Sequence, residues 1–83
     1  MLYPKAIKVT PLNEYKLLVT FDNGETRYFD VSPYLRGDWF SQLRDEKVFS
    51  AVVISDYSIE WPDGQDIAPD CLYMNSIPAR LGI

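Results

Sequence analysis

Five carboxylates fall between Asp56 and Asp70: Asp56, Glu60, Asp63, Asp66 and Asp70. Such side chains bind hard cations or move protons. A calcium loop sets its oxygen ligands at alternate positions, with a central Gly and a distant Glu. Only Asp63, Gly64 and Asp66 follow that pattern, and no Glu closes it. A small metal-dependent enzyme built on the acidic cluster near Asp63 and Asp66 is therefore the alternative reading. Other chemistry has less to work with. The chain has no His, the commonest general base and metal ligand. Its single cysteine, Cys71, can form no internal disulfide and has no imidazole to activate it, which fits a structural thiol. Asp30, at a strand end, and Asp38, at a helix cap, are explained without catalysis. The glycines stand singly at 24, 37, 64 and 82, so none forms a phosphate loop. No residue is assigned as catalytic, and no cofactor or metal is implied.

The balance of 8 Lys and Arg against 12 Asp and Glu leaves a net charge of −4. That disfavours nucleic-acid binding by the isolated domain, which needs clustered cations, and it would steer the protein toward a basic partner. The longest apolar run, Ala51 to Ile54, is far too short to span a membrane. The first ten residues lack the pattern of a signal peptide. A cytoplasmic protein making no membrane contact is expected. All 83 residues should form one domain, enough for one small core.

The elements follow from periodicity. Lys5 to Leu12 alternates, with Ile7 and Val9 on one face, and Pro4 and Pro11 suit an edge strand. Asn13-Glu14 is short enough for a hairpin turn. Tyr15, Leu17, Val19 and Phe21 then share a face. Asn23-Gly24 signals a tight primed hairpin with positive φ angles. Glu25 to Val31 completes a meander, with Phe29 and Val31 inward. Ser32-Pro33 opens a helical turn that Gly37 ends. Asp38 is expected to cap a helix to about Arg44, carrying Trp39, Phe40 and Leu43 on its apolar face. Asp45 caps one more turn, setting Val48 and Phe49 inward. Ala51 to Ser55 and Ser58 to Trp61 are strands, the latter with Tyr57, Ile59 and Trp61 on one face. Pro69 to Asn75 is a short helix, and Ile77 to Ile83 a tail pinned by Ile77 or Leu81. The order β-β-β-α-β-β-α is α+β, an antiparallel sheet with short helices packed on it.

The carboxylates return in the stretch WPDGQDIAPDCL, Trp61 to Leu72. Pro62-Asp63-Gly64 is turn chemistry, Ile67 a core anchor, and Pro69 the first residue of a helix whose exposed amides Asp66 could cap. The same residues could form a partner surface, with Trp61, Asp63, Gly64, Asp66 and Pro69 as its candidates. Trp39 and Trp61 are both candidate anchors, since Trp is enriched at binding hot spots, but in so small a domain core positions suit them better.

Three segments together resemble a known family: FDNGETRYFDV (Phe21 to Val31), FSQLRDEKVFSAVVI (Phe40 to Ile54) and IEWPDGQDIAPDCLY (Ile59 to Tyr73). They are similar to the small bacterial family catalogued as domain of unknown function 2442. Its closing signature carries over as Trp61, Pro62, Gly64, Asp66, Ile67, Pro69 and Leu72. The resemblance implies a small α+β domain with no established enzymatic activity. It also implies an antitoxin-like or regulatory member of a two-protein pair, whose partner is a second small protein encoded by a neighbouring gene; with the net charge of −4, a small basic protein is expected there. Some members add a helix-turn-helix domain; this chain, read to Ile83, is expected to act without one. A non-catalytic protein-binding module is the leading expectation, and the signature assigns no residue a role.

Overall fold

The computed structural model describes residues 3–79. Strands β1 (Ala6–Leu12), β2 (Lys16–Phe21) and β3 (Thr26–Asp30) form the expected antiparallel meander, and β7 (Ile77–Pro78) joins it in the order β1-β2-β3-β7. A second antiparallel sheet holds β4 (Val53–Ser55), β5 (Ser58–Glu60) and β6 (Asp66–Ile67), in that order. Between the sheets in sequence run two four-residue helices, α1 (Gly37–Phe40) and α2 (Glu46–Phe49), joined by a 3-10 turn over Ser41–Arg44. Helix α3 (Pro69–Met74) links β6 to β7. The architecture is α+β, divided over two sheets rather than one.

Alternation explains the core. Leu17, Val19, Phe21, Phe29 and Val31 are buried, and Leu43, Phe49, Val52, Ile59, Trp61, Ile67 and Leu72 meet them from the other elements. Tyr15 packs half-buried on the same cluster. Three local devices override the simple pattern. In β1, Ala6 pairs with Phe21 but Lys8 with Thr20, so Ile7 is the extra residue of a bulge. Ala6 and Val9 then take the inward positions and Ile7 is exposed. At Tyr57, φ is +71°, so the residue belongs to the β4–β5 turn. It points to solvent, with Lys5 Nζ 4.2 Å from its ring centre, while Ile59 and Trp61 go inward. At the β1–β2 connection Glu14 and Tyr15 both have positive φ, so this is not the plain hairpin turn expected.

The caps differ as well. Asp45 caps α2, accepting from the Lys47 amide at 2.9 Å. Asp38 instead lies inside α1, whose N-cap is Arg36. Asp30, rather than Ser32, supplies the turn before Tyr34, accepting from the Ser32 amide at 2.9 Å. Strand β4 starts at Val53, two residues later than expected, because Ala51 and Val52 still close the turn after α2. Ile77 holds the C-terminal segment through strand pairing with Tyr28, not by burial, and Leu81 lies outside the described residues.

A polar latch completes that attachment. Arg27 donates to Ser76 Oγ at 2.6 Å and to its carbonyl at 2.8 Å. Its guanidinium lies 4.6 Å from the centre of the Tyr73 ring. The Tyr73 hydroxyl donates to the Glu25 carboxylate.

The two hairpins that matter most are closed alike. Phe21 N–H donates to the Glu25 carbonyl at 2.8 Å, and Gly24 N–H to the Phe21 carbonyl at 3.0 Å. Trp61 and Gln65 bond at 2.8 Å, and Gly64 N–H donates to Trp61 at 2.9 Å, in the same way. Each is a three-residue loop leaving a buried aromatic, with one left-handed glycine, φ +91° at Gly24 and +97° at Gly64. Asn23 has no positive φ, so the primed turn expected from Asn-Gly gives way to this longer form.

Two outcomes follow. Gly24→Val should lower stability by more than about 1 kcal/mol in urea unfolding, because a β-branched side chain resists that φ even though the space is open. The Tyr73 hydroxyl, aided by the Asn23 amide and Arg27, holds the Glu25 carboxyl below its ordinary value. A lowered native value means that the latch stabilises fully above the ordinary carboxylate range. The gain is then lost as pH falls from about 5 through that lowered value. Glu25→Gln should flatten this part of the acid-unfolding curve.

Candidate functional site

The stretch from Trp61 to Pro69 divides into a buried and an exposed half. Trp61 is 1% exposed, and its Nε1 donates to the Phe49 carbonyl at 2.9 Å. Gln65 is fully buried, and its Nε2 donates to the Trp39 carbonyl at 2.9 Å and to Gln42 Oε1 at 3.3 Å. Ile67 and Leu72 complete the buried half, and the Ile67 carbonyl accepts from Ser58 Oγ. The signature therefore clamps the α1–α2 segment: one buried side chain grips the end of α2, another grips α1.

Pro62, Asp63, Asp66, Pro69 and Asp70 remain exposed on the other side. Asp63 tops the turn, as Pro62-Asp63-Gly64 requires. Asp66 lies on β6 and caps nothing: the N-cap of α3 is Ala68, with no side-chain hydrogen bond. The first turn is served instead by Asp70, whose Oδ1 accepts from the Cys71 amide at 2.8 Å. Of the five sequence candidates, Asp63, Gly64, Asp66 and Pro69 stay near the surface, while Trp61 is withdrawn into the core.

Their place as an aromatic anchor is taken by Trp39, which is 50% exposed. A Cβ on Gly64 would stand 3.5 Å from Trp39 Cζ2, so the indole rides over the turn. Its other neighbour is Phe40, edge-on at 5.6 Å. The expected helical stripe placed Trp39 with Phe40 and Leu43. Because α1 gives way to a 3-10 turn, with three residues per turn, only Phe40 and Leu43 turn inward. The sequence signal for this was weak: Gly37 and Ser41 bracket a helix too short to impose its own period.

The charge around this surface is one-sided. Eight of the 12 acidic residues lie from Asp38 to Asp70, with only Arg44 and Lys47 as cations between them. The two ion pairs among the described residues, Lys16–Glu14 and Arg27–Glu25, are elsewhere. Yet the acids are dispersed: among the described residues no three of His, Cys, Asp or Glu stand close enough to hold a metal ion. Glu60 is half-buried on β5 and Asp56 lies at the far turn, so neither joins Asp63. A cleft of about 330 Å³, lined by residues including Glu14, Tyr15, Glu46 and Phe49, contains none of the signature residues. Cys71 is half-buried, with its Sγ 3.2 Å from the Tyr34 hydroxyl. That bond, with burial, pushes the Tyr34 phenol up to about 12.

Comparison with known proteins bears on the whole of this arrangement. Residues 6–78 match a family described as protein of unknown function (DUF2442), and the chain belongs to that family. No curated protein and no solved structure matches it.

The division into halves makes a paired forecast. Trp61→Phe should cost about 2–4 kcal/mol, since it leaves the buried Phe49 carbonyl without its donor and opens a cavity. Asp66→Ala should leave stability within about 0.5 kcal/mol, as expected of an exposed residue outside any cap. Urea unfolding of both variants checks it, and a large loss at Asp66 would restore the capping role.

Proposed function

We propose that this family member is a non-catalytic protein-binding module, the antitoxin-like or regulatory half of a bacterial two-protein pair acting in the cytoplasm. Its contact surface is Trp39 with the exposed edge of the signature: Asp63, Gly64, Asp66 and Pro69. Trp61 works from beneath, holding the segment that carries Trp39. The observation that carries this reading is a large aromatic side chain left half-exposed yet braced by its surroundings. Gln65 bonds its carbonyl, Gly64 lies under one edge and Phe40 packs against another. Pre-ordered aromatic anchors lose little entropy on binding, which is why they dominate interface energetics. The surrounding carboxylates, in no ion pair among the described residues, favour a basic partner and would speed its approach. The candidate is a small basic protein encoded beside this one.

Co-expression with that neighbour, followed by calorimetry, tests the reading. A complex should form at micromolar concentration or tighter. Trp39→Ala should weaken it tenfold or more, equivalent to at least about 1.4 kcal/mol. Absence of any complex at micromolar concentration would overturn the proposal.

A further inference from the structure

The exposed indole and its acidic setting define what kind of group it can receive. We infer that Trp39 is a platform for a guanidinium, an arginine side chain of the basic partner laid on the ring face between the carboxylates of Asp38 and Asp63. This rests on the binding-module reading above and specifies its chemistry.

Four observations converge on it. The ring is half-exposed while its edge is seated over Gly64. Asp38 precedes Trp39, and Asp63 precedes the glycine beneath it, so the two carboxylates belong to the two backbones that hold the ring. Among the described residues neither carboxylate is hydrogen-bonded or ion-paired, although both are exposed. Finally, Gln65 Oε1 is buried with no donor among the described residues. The same amide is bonded to the Trp39 carbonyl, so an unsatisfied acceptor lies one amide's width from the platform's backbone. A guanidinium suits such a place better than an ammonium. It is planar, stacks on an indole, and still has five N–H donors to offer carboxylates at its rim. Lysine would supply charge without the flat stacking face.

The two tryptophans can be read separately, because the Trp61 indole N–H is committed to the Phe49 carbonyl. The test is a titration of the ¹⁵N-labelled full chain, following both indole signals, with acetyl-Gly-Arg-Gly-amide and its lysine and citrulline counterparts. The arginine peptide should shift the Trp39 signal saturably in the millimolar range and leave Trp61 nearly unmoved. The lysine peptide should bind several-fold more weakly, and citrulline, which keeps the shape without the charge, at least tenfold more weakly. Trp39→Leu should abolish the arginine response, and the double variant Asp38→Asn, Asp63→Asn should weaken it several-fold with the amide spectrum intact. Equal binding of the citrulline peptide, or an unmoved Trp39 signal, would overturn the inference. If the neighbouring protein nevertheless binds through Trp39, the module stands and only its guanidinium chemistry fails; if no neighbour binds, the module reading falls on its own test.

Discussion

The hydrogen bond from Trp61 Nε1 to the Phe49 carbonyl joins parts of the molecule that local structure cannot join. Residues 37–50 hold two helices of four residues each, far below the length at which a helix persists by itself. Side chains from elsewhere therefore bond the backbone of this region: Trp61 to Phe49, Gln65 to Trp39 and Tyr15 to Arg44 at 2.7 Å. Each such bond satisfies a carbonyl that a longer helix would have satisfied internally. From within, Arg44 reaches back to the Leu35 carbonyl at 2.9 Å, tying the region to the turn before it. The aromatic rings run the same course. Phe49 sits 6.1 Å from Trp61 and meets Tyr15 edge-on at 5.5 Å, so the second sheet reaches the first through three rings.

This arrangement gives the turn formers and buried residues of the signature a structural reason to be there. The loop must leave a buried indole, reverse within three residues and bring Gln65 back under α1. Only a left-handed residue closes that loop, and Gly64 supplies it. With the inner side so fully engaged, the polar residues of the stretch have nowhere to go but outward. Their exposure is a by-product of the clamp, and the same clamp fixes Trp39 beside them. On the proposed reading, function uses a surface that stability requires to exist.

The readable parts of the sequence were those where one period ran uninterrupted. From Tyr15 to Phe21 and at Phe29 and Val31, strand alternation placed every inward residue correctly, and the Asp63 turn followed from its own chemistry. The failures have separate causes. A single extra residue at Ile7 reverses the facing of the start of β1, and nothing in the Lys-Ala-Ile-Lys string of residues 5–8 announces a bulge. Tyr57 fits the stripe of Ile59 and Trp61 by spacing, but its positive φ takes it out of the strand. Asp66 has the composition of a cap yet is fixed by strand pairing with Glu60. Trp39 was lost for the converse reason: its placement depends on Gly64 and Gln65, distant in sequence, and not on its own neighbours. What was legible was set locally, and what was missed was set by tertiary contact.

That distinction also bears on the acidity. Eight carboxylates fall in the 33-residue stretch from Asp38 to Asp70, dispersed over its surface, and among the described residues no ion pair in that stretch relieves them. Asp45 caps α2 and Asp70 serves the first turn of α3, but the bonds of the clamp itself come from an indole, an amide, a phenol and a guanidinium, all directed at backbone or amide oxygens. Fold stability would tolerate neutral residues at Asp38, Asp63 and Asp66 equally well, since among the described residues none of their side chains caps a helix or forms an ion pair. Charge that the fold does not use, placed around an aromatic ring that the fold holds still, is better accounted for by what approaches the surface than by what lies beneath it.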